Sequence, residues 1–546
     1  MGKQTKPPGL FSRLAAATRM LFGADVGTPR QTYAGFEGAS VAKRMAGWRP
    51  NPSSANELIN ADLPLLKARA RNVYRNTPWG RSAINASVID MIGIGFYPQP
   101  LVEDEELRKT ISALWKRWAK KADARGRTTI YGLQYIAGSE MVRAGEVLIR
   151  ARPRRMGEDG LEVPLQFQVL QADHLALDYN DTFNGNPIRQ GIEFDLIGRR
   201  VAYHLWREHP GERPLFYSDR TRVRVPASEV CHLFIEEEPN QIRGVPWGAS
   251  GLLKLRDIDL YDNNELIRKQ VATLYTMFIK RKAPEAGELD DDDIPAPGDS
   301  MSSESEDGSA RAVEWDPGSV IVGEEGDEPS FSDPPDTGAT YDPYMKHQAR
   351  MLAAGFGPIG VPYESLTGDY SQVTYLSARA ALLKHRRGME SLQENFISPL
   401  LCDFVWKHFM DTAVLAGALP ISVGDYQRDR EKYLAVEHVP PGWDWIDPEK
   451  DIKGLQSERR AGYNSRRRQL AGRGLNIDEI DAEIAAENAK ADELGLVYTS
   501  DGRQPEKGGA TAQPSSDATR ADQSADEQRT ESDAPYDAAD RERRRA

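Results

Sequence analysis

Residues 361–387 read VPYESLTGDYSQVTYLSARAALLKHRR, and the reading of this stretch decides the fold. Upstream, Met345, His347 and Met351 mark a helix that runs into Gly355-Phe-Gly-Pro-Ile-Gly. Glycine and proline crowd there, which signals a sharp turn. A second helix leaves at about Thr374. Between the two lies a polar loop, with Tyr363 and Tyr370 inside it and Tyr375 at its exit. An aromatic, polar loop held between two helices asks for a function.

The rest of the chain supplies the frame. Its 546 residues suffice for several domains. Apolar residues make up 39%, and the mean hydropathy of -0.59 fits a chain with long solvated portions. The net charge of -13 argues against a simple electrostatic clamp on DNA, which needs Lys and Arg to neutralise phosphates. It is compatible with a protein that lets a polyanion slide past. Cys231 and Cys402 stand in apolar runs and read as buried, reduced thiols. No apolar run approaches the roughly 20 residues that span a bilayer.

Along the chain, residues 61–92 and 104–121 carry helical apolar spacing, the second through Leu107, Ile111, Leu114, Trp115 and Trp118. A third helix over 131–144 leads into the strand-like VLIRARPRR. From 161 the period changes to two, in VPLQFQVLQADHLALD, GIEFDLIGRRVAYHLWREH and RVRVPASEVCHLFI, which predicts antiparallel strands. His174, His204, His209 and His232 fall among them with no metal-ligand spacing, so they read as ordinary strand histidines. A long helix is expected over 249–282, acidic at its start and basic at its end. Residues 284–311 lose all periodicity, and short strand signals follow at 312–315 and 318–322. Residues 374–418 read as one long helix, or two broken near Pro399. Its Lys384, His385, Arg386 and Arg387 form a basic cluster suited to a solvated face or to a polyanion. Residues 431–451 read as a connector, 452–473 and 477–494 as helices, and the chain from Ser500 as a disordered tail.

No phosphate-binding glycine loop, nucleophile elbow, zinc-protease helix or dinucleotide fingerprint is present in the sequence. No catalytic, cofactor-binding or metal-binding residue is nominated, and no enzyme activity is expected. Asp290–Asp293 suggest a metal-dependent hydrolase only weakly, since four consecutive aspartates cannot all face one ion. What remains is architectural.

That order of elements resembles a bacteriophage portal protein of the lambda type, from roughly Asn51 to Leu496. The resemblance rests on ADLPLLKARARNVYRNTPWGRSAINA (61–86), LEVPLQFQVLQADHLA (161–176), GIEFDLIGRRVAYHLW (191–206), HLFIEEEPNQIRGVPWGASGLL (232–253) and GFGPIGVPYESLTGDYSQVTYLSARAALL (355–383). DELGLV (492–497) fits the family's closing helix. The acidic insert at 285–308 and the long hydrophilic tail depart from the pattern.

The resemblance implies an α+β subunit of wing, stem, clip, tunnel loop and crown, repeated as a ring of twelve around a central channel. The implied parts are an N-terminal arm (1–27), a wing (28–248), a first stem helix (249–282) and a clip (283–340) holding the acidic insert. A second stem helix (341–356), a tunnel loop (357–373), a long helix (374–418), a crown-like helical region (419–498) and a tail (499–546) complete it. It further implies Tyr363, Glu364, Ser365, Thr367, Asp369, Tyr370, Ser371 and Gln372 as the tunnel loop. Lys384, Arg386 and Arg387 are its candidate DNA contacts.

The partners implied are double-stranded DNA, the terminase large subunit, head-completion or connector proteins, and the major capsid or scaffolding protein. No cofactor and no membrane is involved. The expected location is the portal vertex of a virion, after assembly in the cytoplasm of a bacterial host. A capsid adaptor or scaffold that binds only protein is the rival reading. Two helices that bracket an excursion support the ring independently, because such pairs repeated around an axis close into a barrel. An acidic wall also suits sliding DNA.

Overall fold

A computed structural model describes Gly47 and residues 50–157, 160–212, 221–274, 278–281, 327–330, 338–371, 374–443 and 448–498. The arm (1–27), the acidic insert (285–308), the strand signals at 312–322, Gln372 and the tail (499–546) lie outside these residues.

The N-terminal helical stretch is two helices, α1 (Ala55–Asn76) and α2 (Pro78–Met91). Thr77 is extended between them and Pro78 takes the first helical position, where its missing N–H costs nothing. Strand β1 (Tyr97–Pro100) leads to α3 (Glu105–Ala119), capped by Asp104, whose side chain accepts from the N–H groups of Glu106 and Leu107. Helix α4 (Ile130–Ala144) ends at Gly145, φ +88°. A Cβ there would lie 2.2 Å from the Val245 carbonyl carbon, so only glycine closes this helix against the returning chain.

Strands β2 (Glu146–Pro153) and β3 (Leu165–Gln171) form an antiparallel sheet completed by β9 (Val230–Phe234), in the order β3-β2-β9. Between β3 and β9 the chain builds a five-stranded antiparallel meander. Its strands are β4 (Asp181–Phe183), β5 (Asn186–Arg189), β6 (Ile192–Phe194), β7 (Arg200–Trp206) and β8 (Arg222–Pro226). The period-two alternation is thereby explained: Val147, Ile149 and Ala151 face one core, while Leu148 faces a second with Ile192, Tyr203, Leu205 and Val225.

Helix α5 spans Leu252–Leu274, shorter than the 249–282 expected. Phe278–Arg281 is instead strand β10, antiparallel to β11 (Asp327–Ser330), and the register sets Lys280 opposite Glu328 and Arg281 opposite Asp327. Aromatic and β-branched residues at Phe278-Ile279 favour the strand. Helix α6 (Gly338–Gly355) precedes a single turn, α7 (Tyr363–Thr367). Helix α8 (Tyr375–Leu392) then continues without a break through a π-helical segment, Gln393–Cys402, into α9 (Asp403–Leu415). Pro399 does not split it, because the π segment relaxes the hydrogen-bond spacing around a residue with no N–H.

The expected connector at 431–451 contains structure. Short helices α10 (Val423–Arg428) and α11 (Arg430–Leu434) precede β12 (Val436–Val439), which pairs antiparallel with β1. The helix expected over 452–473 is divided into α12 (Pro448–Arg460) and α13 (Arg466–Ala471), with Gly462 at φ +77° between them. Helix α14 (Ile477–Leu494) is capped by Asn476, whose side chain accepts from the Asp478 N–H.

The sequential segments share one core. Trp115 and Trp118 on α3 meet Phe409 on α9 with ring centroids 4.9 Å apart in each pair, and Trp115 meets Trp406 at 5.5 Å. Cys231 and Cys402 are buried and free, and burial pushes both thiols up, Cys231 to about 12.

Candidate channel loop and its basic flank

Helices α5 and α6 lie against each other in antiparallel sense. Tyr261 stacks on Tyr341 with centroids 5.7 Å apart and meets Tyr344 edge-on at 5.1 Å. The Tyr341 hydroxyl donates to Asp262, which with burial pushes the phenol up to about 12. At the body end, Ser250 Oγ donates to the Gly355 carbonyl at 2.9 Å.

The chain leaves α6 through two left-handed glycines. Gly357 (φ +67°) donates its N–H to the Trp247 carbonyl at 2.9 Å, and a Cβ on it would lie 2.5 Å from the indole. Gly360 (φ +74°) puts the same demand on the Ala353 carbonyl, 2.9 Å away. Val361 then bonds back to Ala353 at 2.8 Å.

The residues expected to form a tunnel loop are held by more local structure than a polar loop alone suggests. Tyr363–Thr367 form a helical turn, and Leu366 is buried in the main core. Ser82 Oγ on α2 donates to the Leu366 carbonyl at 2.7 Å and approaches that of Ser365 at 3.3 Å. Thr367 Oγ1 donates to the Tyr363 carbonyl at 2.8 Å and accepts from the Asp369 N–H at 3.1 Å. Asp369 accepts from the Ser371 N–H at 3.0 Å, and hydrogen bonds from Ser371 hold its carboxyl below the usual range. Tyr363 OH lies 3.5 Å from Asp369 Oδ2, and the Arg350 guanidinium sits over its ring. Glu364 is half-buried. Gly368, Tyr370 (66% exposed) and Ser371 stand clear at the tip.

Thr374 and Ser377 form a reciprocal capping box that starts α8. Three turns on, the structure divides the basic cluster. His385 Nε2 meets Asp90 Oδ2 at 2.9 Å and is buried. Arg386 lies over the Trp443 ring at 5.2 Å. Lys384 and Arg387 are exposed. Gly388 fits against Ile359, which packs α8 directly on the start of the loop.

One charged group in the body escaped the sequence reading. Glu146, fully buried, accepts from Arg243 Nε at 2.9 and 3.0 Å, Lys67 Nζ at 2.7 Å, the Gly244 N–H at 3.0 Å and His232 Nε2 at 2.9 Å. Burial opposes its charge, yet Arg243 and Lys67 outweigh burial and hold the carboxyl well below its ordinary value. Burial keeps His232 neutral, lowered to about 4. The cluster joins α1, β2, β9 and the Arg243-Gly-Val-Pro-Trp-Gly turn that leads to α5. Its partners lie far apart in sequence, so no spacing could announce it.

Comparison with known proteins places this arrangement. A family model described as phage portal protein, lambda family, matches residues 42–393. A probable portal protein of Halomonas phage phiHAP-1 is 27% identical over 467 residues, covering 82% of this chain and 84% of that protein. Portal protein B of Escherichia phage lambda is 21% identical over 519 residues, covering 87% and 93%. Among solved structures, a chain from the neck of a native GTA particle computed with C12 symmetry is 14% identical. It covers 76% of this chain and 93% of that one, with a TM-score of 0.40. The chain belongs to the lambda family of phage portal proteins.

Proposed function

We propose that this chain is the repeating unit of a non-enzymatic ring of twelve at one vertex of a capsid, through which double-stranded DNA is packaged and ejected. The observation that carries the reading is the route of the chain from α6 through Gly357 and Gly360 to a loop anchored at Leu366 and exposed at Gly368, Tyr370 and Ser371. Such a loop presents a small, fixed tip to whatever passes it. Family membership supports the same reading.

In this reading α5 and α6 are the stem, and neighbouring pairs pack head to tail around the axis. The segment expected over 283–340 is the clip that docks the terminase and later the head-completion proteins. Lys384 and Arg387, exposed on α8, are the phosphate contacts, whereas Arg386 steadies the junction with Trp443. The net negative charge of the chain keeps such contacts few, so DNA is guided without being gripped. The particle that contains the ring is the virion, assembled in the host cytoplasm with capsid or scaffolding protein as a further partner.

Negative-stain microscopy of the purified full chain tests this directly. Annular particles with a central hole are expected. Monomers or small oligomers under every assembly condition would instead favour a protein-binding adaptor without a channel.

A further inference from the structure

On β2, Arg150 and Arg152 alternate with core residues and so share one face of the β3-β2-β9 sheet, and Arg154 follows just beyond the strand's end. Across from them the acceptors are carboxamides, not carboxylates. Arg152 donates to Gln168 Oε1 at 2.9 and 2.5 Å, and Arg154 to Gln166 Oε1 at 2.8 Å. Arg150 has one carboxylate, Glu229, at 3.9 Å, and its Nε makes no hydrogen bond. The guanidiniums of Arg152 and Arg154 are therefore oriented by neutral acceptors, while Glu229 offsets part of the charge of Arg150.

The loop beside β3 enlarges the patch. Gln166 Nε2 donates to the carbonyls of Lys121 and Asp123, and Arg154 reaches the Ala124 carbonyl at 3.5 Å. Lys121, Arg125 and Arg127 on this loop are exposed. Its one acid, Asp123, is buried; its oxygens accept from the N–H groups of Arg125, Arg127 and Thr128, and the Arg125 guanidinium lies 3.7 Å from Oδ1. Burial lowers the Arg152 pKa, the charges of Arg150 and Arg154 lower it further, and the Glu229 carboxylate offsets them only in part. Glu158 and Asp159, between β2 and β3, lie outside the described residues.

We infer that this face, remote in sequence from the channel loop, is a second phosphate-binding surface that rests on the backbone of double-stranded DNA. Protein interfaces have an apolar core depleted of charge, whereas this face, apolar at Leu148 where the meander covers it, presents arginine and glutamine at its other end. Protein–DNA interfaces are polar and strongly positive. At about 6.6 Å per alternate residue the three arginines span about 13 Å, and phosphates recur every ~3.4 Å along one strand, so several fall within reach. A flat sheet face reads no bases, so binding is independent of sequence.

The inference takes the identity of the polyanion from the proposed function. Its test uses the full chain and a labelled linear duplex, with affinity measured by anisotropy across a salt series. Arg152→Gln/Arg154→Gln, and separately the exposed pair Arg125→Gln/Arg127→Gln, should each weaken binding about tenfold and reduce the slope of log K against log salt by about 2. Arg152→Lys should keep the slope. Affinity and slope unchanged in both double variants would overturn the surface, even where rings form normally. Polyglutamate of equal charge that binds as tightly and is lost in the same variants would also overturn it, in favour of an acidic protein partner. Absence of rings with the slope effect intact would fault the channel reading alone.

Discussion

Ser82 on α2 and Leu366 in the loop after α6 are joined by a 2.7 Å hydrogen bond from hydroxyl to carbonyl, across nearly three hundred residues of sequence. The bond fixes the root of the loop to the wall of the body. Root and tip should therefore respond differently to mutation. Leu366→Ala removes a side chain 3% exposed and should cost about 2–5 kcal/mol of stability. Tyr370→Ala should change stability by less than about 0.5 kcal/mol yet impair packaging or retention of DNA. Thermal denaturation beside a packaging assay separates the two, and normal packaging by Tyr370→Ala would remove the tip from the mechanism.

The loop's glycines should also differ. At Gly357 the backbone is left-handed and the indole of Trp247 blocks a side chain, whereas Gly368 (φ +71°) opens on empty space. Gly368→Ala should cost about 1 kcal/mol from backbone strain alone. Gly357→Ala should cost clearly more, because the indole must also move. Equal denaturation midpoints for the two variants would contradict the packing described at Trp247.

The buried cluster predicts a specific pH dependence. The pKa of His232 is lowered to about 4, below the ~6.5 of an unfolded histidine, so the unfolded chain binds the extra proton first. Stability from this group is complete above about pH 6.5 and falls as the pH drops toward 4, by on the order of 3 kcal/mol. Glu146, also lowered, adds a loss only once the pH passes below the ordinary glutamate value. Denaturant titrations between pH 7 and 4 should show this slope, and His232→Gln should flatten it. Glu146→Gln, which leaves Arg243 and Lys67 buried without their carboxylate, should cost about 3–5 kcal/mol at neutral pH.

The basic cluster on α8 should divide in function as it does in space. Lys384→Glu with Arg387→Glu should assemble normally and alter DNA passage. Arg386→Glu should lower the melting temperature, because its guanidinium packs on Trp443. If the exposed pair disrupts assembly instead, it belongs to a subunit contact.

What could be read beforehand followed local periodicity. The alternation in LQFQVLQ and the 3–4 spacing of Leu114, Trp115 and Trp118 each report one residue's neighbours on its own element, and those elements stand where expected. The end of α5 was misjudged because Phe278-Ile279 continue an apolar helical spacing, and only pairing with Asp327–Ser330 makes them a strand. The loop was read as polar and aromatic, with no buried anchor, because Leu366 is a single aliphatic residue among polar and aromatic ones. Its burial depends on α2, and Ser82 carries no local sign of that partnership. The basic run Lys384–Arg387 was legible as charge but not as direction, since helix geometry turns neighbours to different surfaces.

The pairing of β1 with β12 sets Tyr97 opposite Val439 and Pro100 opposite Val436. On the ribosome, β1 emerges long before its partner exists. The body thus cannot close until the chain beyond residue 439 has been made, and a nascent or truncated product carries an open strand edge able to pair with another chain. Completion of each subunit is in this way a checkpoint written into its topology: a chain stopped at 418 lacks the strand that seals the first half.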